Sequence, residues 1–548
     1  MKPFFSMIMC MLIYTGALSQ TAKNFISGSL TRFNDDGAWC WYQDERAVVD
    51  TVNGKIIVGS VANAGTINAV VYDIETNTSH EYELANLGTD DHNAPAFIVR
   101  PDGKYLAMYA AHYDQWNSRY RIFDGTTWSP EQVFDWTTIP GGTDYTIAYS
   151  NLYYLSAEGR MYNFARANER APNFIISTDI GDTWSFGGQL VTNASNTYNK
   201  GYFKYWGNGV DRIDFIFTEQ HPRDTSTSIY HGYIMNGKSF ASDGTVADDD
   251  IFDRTFIPTF KNFTKVFADS TVYNGDVMRR CWNIDVQRYA DGTIATLISC
   301  RANDNTQGND FSINPDHRFF YCRYDGSEWT YTYLGKAGPK MYDSEADYTG
   351  LGALCPDNPN TIYISTTFDP RDNTDLIFHE IFKGVTTDHG VTWTWTPVTR
   401  NSEYDNYRPI VPAWNANNNV LLWWRGTYFA AQAYDAEVVG IINQSPVNTL
   451  YDDDYPSGFN LSQNSPNPFN LTTEINYSLE KPSQVKIVVY DLQGRTVRTL
   501  ENSYKTAGEY SILWDASDNR GHKVAAGIYY YSLEAGNLTM QKKMILLK

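Results

Sequence analysis

Two of the chain's nine histidines stand where shared proton transfer would need them. His92 lies in the polar run Asp90-Asp91-His92-Asn93-Ala94-Pro95, just before the apolar Phe97-Ile98-Val99. His112 follows the next apolar stretch, Tyr105-Leu106-Ala107-Met108-Tyr109. The turn Asp102-Gly103 falls midway between the two histidines. If the stretches pair as antiparallel strands, both imidazoles reach one end of the hairpin, opposite its turn. Two imidazoles held there can pass protons near neutral pH. A histidine more often just bonds a loop carbonyl, but the symmetric placement among Asp, Asn and Tyr favours chemistry here.

A second group brackets the turn Asn208-Gly209 in the same way: Tyr202-Phe203-Lys204-Tyr205 before it and His221-Pro222-Arg223 after it. Tyrosine with arginine suits β-elimination at a uronic acid. There the C5 proton is weakly acidic, a cation must neutralise the adjacent carboxylate, and an acid must assist the leaving oxygen. Arginine does the first task with its bidentate fork. The competing role for Arg223 is a salt bridge to a neighbouring acid.

The elements that must position these residues are strands. Turn signals leading into β-rich runs recur at Asn53-Gly54, Asp102-Gly103, Glu158-Gly159, Asn208-Gly209, Asp291-Gly292, Asp357-Asn358-Pro359-Asn360 and Asn417-Asn418-Asn419. Each predicts a hairpin. Their wide, regular spacing predicts four-stranded blades. Ser177-Thr178-Asp179-Ile180-Gly181-Asp182-Thr183-Trp184 and Thr386-Thr387-Asp388-His389-Gly390-Val391-Thr392-Trp393 repeat one pattern, echoed at Asp124-Gly125-Thr126-Thr127-Trp128 and Asp325-Gly326-Ser327-Glu328-Trp329. These resemble the Asp-boxes of sialidase-like propellers, which are structural. The expectation is an all-β chain, with a seven-bladed β-propeller over residues 20–445. An aromatic content of 15% against 19% charged residues fits strands and stacking on sugars.

The ends of the chain read differently. Met1-Lys2, the apolar run Phe4 to Tyr14, and the small residues before Gln20 make residues 1–19 a signal peptide, too short to span a bilayer. No later stretch is long and apolar enough to be a membrane span, so a secreted or cell-surface monomer is expected. A net charge of −20 disfavours nucleic acid and anionic lipid as partners. Residues 446–464, with Asp452-Asp453-Asp454, read as a linker, and residues 465–548 as a small β-sandwich. Ser465-Pro466-Asn467-Pro468-Phe469-Asn470, Tyr490-Asp491-Leu492-Gln493-Gly494-Arg495 and the ending Lys542-Lys543-Met544-Ile545-Leu546-Leu547-Lys548 resemble together the C-terminal sorting domains of type IX secretion. The resemblance implies that machinery as a partner. Beyond Cys10, five widely spaced cysteines do not form a disulfide framework; buried thiols are the expectation, with one or two bridges open.

Further segments carry a family resemblance for the propeller. Trp39-Cys40-Trp41-Tyr42-Gln43-Asp44, Asp90-Asp91-His92-Asn93, His221-Pro222-Arg223, Tyr348-Thr349-Gly350 and Arg408-Pro409-Ile410-Val411-Pro412 occur in an order that resembles the BNR-4 group of propellers. That group includes ulvan lyases, which cut a sulfated rhamnose–uronate polymer of green algae. The resemblance implies a polysaccharide lyase acting on an acidic, algal-type polysaccharide. It implies His92 and His112 in proton transfer, Tyr205 as acid or second base, and Arg223 on the carboxylate, with Tyr202 and Arg212 as alternatives for the last two. Asn93, Trp41, Gln43, Arg279 and Arg280 are then expected at the substrate, within a local basic cleft that Arg166 and Lys204 would share. No cofactor is required for elimination. Some relatives hold a structural zinc, for which His231, Cys281 and His317 are the candidate ligands here. Two rival functions share the fold: a glycoside hydrolase of sialidase-like or rhamnosidase-like type, and a glycan-binding propeller without catalysis.

Overall fold

The computed structural model describes residues 23–547 apart from 113–115, 140–145, 193–200, 307–311, 342–344, 416–417, 445–459, 480–481, 492–494, 507 and 536–537. The proposed signal peptide, and all of the linker before residue 460, lie outside the described residues. The chain divides into two compact units, up to Asn443 and from Gln444.

Seven antiparallel sheets make the first unit a propeller. The first blade is Ala47–Asp50, Lys55–Val61, Thr66–Asp73 and Thr78–Asn86; the second is Ala96–Val99, Tyr105–Tyr109, Asn117–Phe123 and Gln132–Asp135. The third runs Ala148–Leu155, Arg160–Ala167, Ala171–Ser177 and Ser185–Gln189. The fourth is built on Phe203–Gly207, Arg212–Thr218, Ile229–Met235 and Lys238–Ala241, the fifth on Asp276–Arg288, Ile294–Ala302, His317–Tyr324 and Trp329–Gly338. The sixth comprises Gly352–Leu354, Thr361–Phe368, Asp375–Val385 and Thr394–Pro397. The seventh joins Asp405–Ile410, Asn418–Ala430 and Ala433–Gln444 to Leu30–Asn34 from the other end of the propeller, which closes the ring.

The turn signals explain this architecture. Six of the seven lie between the innermost and second strands of successive blades, and Asn418 of the seventh opens the second strand of the last blade. Gly103, at φ +81°, takes the left-handed conformation that only glycine adopts without cost. The two full Asp-boxes fold alike: the Gly181 amide bonds Ser177 Oγ (2.8 Å) and the Thr183 amide bonds Asp179 (2.9 Å), matched at Gly390 (2.9 Å) and Thr392 (2.9 Å). Their tryptophans lean on the preceding blade, Trp184 on Tyr120 and Trp393 on Tyr321. The boxes therefore clamp neighbouring blades.

The segment Trp39 to Arg46, which precedes the first blade, plugs the axis. Trp41 donates its indole N–H to the Thr349 carbonyl (2.5 Å), stacks on Tyr348 (4.7 Å) and meets Trp424 edge-on. Arg46 bonds the Ser150 carbonyl (2.7 Å) and Asn151 (2.7 Å), while Arg408 bonds the carbonyls of Cys40 and Gln43. Most of the segments that suggested the propeller family thus meet one another as a structural plug.

In the second unit a three-stranded sheet (Asn460–Leu461, Thr473–Leu479, Gly508–Trp514) and a four-stranded sheet (Thr496–Lys505, Ser483–Tyr490, Gly527–Ala535, Leu538–Leu546) form a small β domain. Its core is Trp514, Ile475, Val485, Ile487, Tyr531 and Leu533. The basic tail is its last strand, with Met544 and Leu546 turned inward.

Candidate active site

The second blade pairs Ala96 with Met108 and Val99 with Tyr105. Extending that register past Ala96 sets residue 92 opposite 112, and the imidazoles do meet there. Asp91–Asn93 is a single 3-10 turn capped by Asp90, whose side chain accepts from the His92 amide at 3.0 Å. The same carboxylate receives both rings: His92 Nδ1 at 2.6 Å on one oxygen and His112 Nδ1 at 2.9 Å on the other. The rings stack 3.9 Å apart at an interplanar angle of 8°. Asp91 lies 2.8 Å from His92 Nδ1 and is itself held by the Tyr428 hydroxyl (2.8 Å).

This geometry drives the two histidines apart. Burial would depress His92, yet Cys40, Asp90, Tyr149 and Asp91 around it all favour its cation, and its pKa lies well above that of free imidazole. Burial and then the His92 charge push His112 down to about 3, against the pull of Asp90. Burial opposes the ionisation of Asp90, but the two histidines hold it far below the usual carboxylate range. One imidazole is therefore a cation and its stacked neighbour neutral over a wide span of pH. Because His112 donates Nδ1–H to a carboxylate, its neutral form carries the lone pair on Nε2.

Beside the pair stands a tyrosine that the sequence reasoning passed over. Tyr149 sits at a register break in the innermost strand of the third blade, with φ +68°. Its ring lies 5.5 Å from that of His92 and 6.3 Å from that of Tyr202. Arg166, on the next strand, covers both tyrosines, 4.8 Å from the ring centre of Tyr149 and 5.0 Å from that of Tyr202. The Tyr149 hydroxyl is buried and has no hydrogen-bond partner among the described residues. Burial raises its pKa well above the ordinary phenol value, with Arg166 opposing.

Tyr202 and His221 repeat the arrangement in the fourth blade, with Tyr202 Oη 3.3 Å from His221 Nε2. The Arg223 amide donates to His221 Nδ1 (3.1 Å), and burial with the charges of Arg223, Arg166 and Arg301 keeps His221 neutral. Its Nε2–H therefore points at the Tyr202 oxygen.

The other expected site residues take different places. Tyr205 belongs to the core between the third and fourth blades, stacked on Phe164 at 4.3 Å, and reaches the site only as a wall of a cavity of about 20 Å³ shared with Tyr149, Arg166 and Tyr202. Alternation along the strand turns Tyr202, not Tyr205, towards the histidines. Arg212 lies at the far end of its hairpin, over Tyr233. Arg223 is bonded to Glu345 (3.1 Å), the salt bridge that competed with its catalytic role. Glu345 is pushed up to about 7 by burial and then by Asp347.

Trp41, Gln43 and Asn93 are buried and face protein, not a substrate surface. Gln43 bonds the His92 carbonyl (2.6 Å), and Asn93 accepts from the His112 amide (2.8 Å), so both position the histidines. Arg280 is likewise buried, with Nε 3.0 Å from Asp304 and a guanidinium N–H bonded to the Pro222 carbonyl (3.0 Å). It holds the His221–Arg223 loop. Lys204 lies in the axis against the Gln43 carbonyl. Of the residues expected in the basic cleft, Arg166 lies over the tyrosines, Arg223 is paired with Glu345 and Arg279 is half-buried.

The three proposed zinc ligands do not converge. His231 bonds Ser242 (2.8 Å) and Asp214 (3.1 Å), Cys281 faces Cys300, and His317 bonds the Gly338 carbonyl (3.1 Å). Among the described residues, the sets with donor atoms within 4.8 Å of one another are Cys40, Asp91, His92 and Asp90, His92, His112, in which the Nδ1 atoms already bond carboxylates. A cavity of about 470 Å³ opens beyond the other ends of the innermost strands, lined by Glu45, Phe97, Tyr153, Tyr205 and Trp206, and no histidine reaches it.

The propeller is similar to solved ulvan lyases of polysaccharide lyase family PL25. One, bound to -[GlcA(1-4)Rha3S]-, has a TM-score of 0.53 and 13% identity, covering 76% of this chain and 96% of that one. The other has a TM-score of 0.54 and 12% identity with the same coverage. Such likeness establishes a shared fold. The GH93 α-L-arabinofuranosidase of Fusarium graminearum has a TM-score of 0.35 and 11% identity over 63% of this chain and 91% of its own. Residues 465–538 match the FlgD Ig-like domain. Among curated proteins none matches the sequence.

Proposed function

We propose that the propeller is a polysaccharide lyase that cleaves an acidic, ulvan-like polysaccharide by β-elimination at the uronic acid. The observation that carries this reading is the stacked pair His92 and His112, split into cation and neutral base by one carboxylate, with Tyr149 and Arg166 beside it. Elimination needs three functions in one place, and these side chains supply them. Arg166 and the His92 cation neutralise the carboxylate, which makes the C5 proton removable. His112 Nε2 accepts that proton. As the C4–C5 double bond forms and the C4–O4 bond breaks, Tyr149 gives its proton to the leaving oxygen, and the phenolate left behind faces Arg166 and His92. Its raised pKa keeps the tyrosine protonated until that moment. No step uses a metal. The likeness of fold to ulvan lyases supports the same substrate class.

The test is to incubate the protein with ulvan and other uronate polymers and follow the ultraviolet absorbance of the unsaturated uronate. A rise that disappears in His112→Ala supports elimination. New reducing ends without that rise would mean hydrolysis, and neither signal with any polymer would favour a binding propeller. For the C-terminal unit, we propose export through type IX secretion. The three motifs quoted above support that reading, and a reporter carrying residues 444–548 should be exported by a host possessing the machinery and retained by one lacking it.

A further inference from the structure

We propose that Cys281 and Cys300 close into a disulfide across the bulge of the fifth blade when the chain folds in an oxidising compartment, an inference that rests on the export reading. All five described cysteines are free and buried, but these two sulfurs face each other at 3.1 Å. They lie on neighbouring antiparallel strands, Asp276–Arg288 and Ile294–Ala302. The register runs Arg279 to Arg301 and then Trp282 to Ser299, so Arg280 and Cys281 together oppose Cys300. Drawing the sulfurs to bonding distance requires about 1 Å of movement, within reach of side-chain rotation.

The surroundings leave these thiols little else to do. Ile216, Ile229, Met278, Val286 and Phe320 pack around them, and burial with the neighbouring Cys281 and Cys322 pushes the Cys300 thiol well above its ordinary value. Buried thiols without a charged neighbour are poor nucleophiles and poor metal ligands. The bond must then form while the blade is still open. A dithiol oxidase supplies the chemistry: its disulfide is cut to two thiols as Cys281 and Cys300 lose two protons and two electrons and gain the S–S bond.

The position links the bond to the active site. Arg280, inside the bulge at φ +49°, bonds the carbonyls of Pro222 and Arg223, and Thr227 bonds the Cys281 carbonyl (3.0 Å). The cross-link would pin the bulge from which the His221–Arg223 loop is held.

To test this, the chain from Gln20 onward is made in one bacterial host twice, once behind a host export signal to the periplasm and once in the cytosol. Each product is denatured in an alkylating agent without reductant and mapped by peptide mass. The periplasmic protein should show alkylation at Cys40, Cys322 and Cys355 only, and a peptide joining Cys281 to Cys300 that is two hydrogens lighter. The cytosolic protein should show all five alkylated. In periplasmic Cys300→Ala the cross-linked peptide should vanish and Cys281 become alkylated. Five alkylated cysteines in the periplasmic protein, or a bridge that includes Cys322, would overturn the pairing. Because the export signal is the host's, a native leader that fails to export the chain would count against the export reading alone.

Discussion

Tyr149→Phe removes one oxygen, which under the proposed mechanism has two opposite effects. In the folded protein the hydroxyl is buried without a partner among the described residues. A buried, unsatisfied polar group costs about 1–3 kcal/mol, so phenylalanine should leave the fold as stable as before or more stable by up to that amount. A general acid contributes about 10²–10⁴-fold to rate, which is roughly 3–5 kcal/mol of transition-state stabilisation. The variant should therefore unfold at the same or a higher temperature while kcat on a uronate polymer falls by two to four orders of magnitude. Thermal unfolding and ultraviolet-monitored turnover measure both sides. A uronate whose C4 leaving group departs without a proton provides the control, because its cleavage should suffer far less. Turnover of the polymer within a few-fold of wild type would refute the acid role. A marked loss of thermal stability would show that the hydroxyl bonds a partner outside the described residues.

His112→Ala should abolish measurable elimination while binding of the polymer, followed by titration calorimetry, is retained. Asp90→Asn should weaken His92⁺ by about 1–3 pKa units, or about 1–4 kcal/mol. A histidine with a raised pKa stabilises the fold below its unfolded value and loses this as pH rises through the folded one, whereas a depressed aspartate stabilises above its unfolded value and loses this as pH falls. The stability gap between wild type and Asp90→Asn should thus be widest from about pH 4 to about 6.5 and narrow on both sides, as melting curves across pH would show. Arg280→Ala breaks a buried ion pair and should cost about 3–5 kcal/mol in denaturant unfolding, with turnover falling as the loop it holds loosens. Truncation after Asn443 should leave the melting temperature and turnover of the propeller unchanged, since the chain's two units are separately compact.

Local signals carried the architecture and the histidine pair. A turn glycine flanked by apolar runs needs no distant partner to declare a hairpin, and the equal spacing of His92 and His112 from Asp102-Gly103 was enough to bring them face to face. The tyrosine and arginine were harder. Along an innermost strand, successive residues face opposite sides, so an offset of three exchanges the core residue Tyr205 for the site residue Tyr202. Tyr149 carried no motif, but it occupies in the third blade nearly the place that His92 holds in the second, and Arg166 nearly that of His112. Aligning blade upon blade would have exposed both. Trp41, Gln43 and Asn93 looked like substrate contacts because aromatic and amide groups serve sugars and structural plugs equally well, and only the protein groups each one bonds separate the two uses. Arg280 misled in the same way, since a guanidinium that grips backbone carbonyls has the same sequence signature as one that grips a ligand.

The closure of the ring makes the two ends of the propeller wait for each other. The strand Leu30–Asn34 pairs with Ala433–Gln444, a partner roughly 400 residues further along the chain. Until the seventh blade has formed, the edge of that first strand stays unpaired. The histidine pair waits with it, because Asp91 is held by Tyr428 and Asp90 by Gln432, both from that last blade. A folding chain can build six blades and still lack the contacts that anchor its two histidines. Catalytic competence should therefore arrive abruptly, with the last blade, and a chain terminated before residue 428 should be inert however many blades it had already folded.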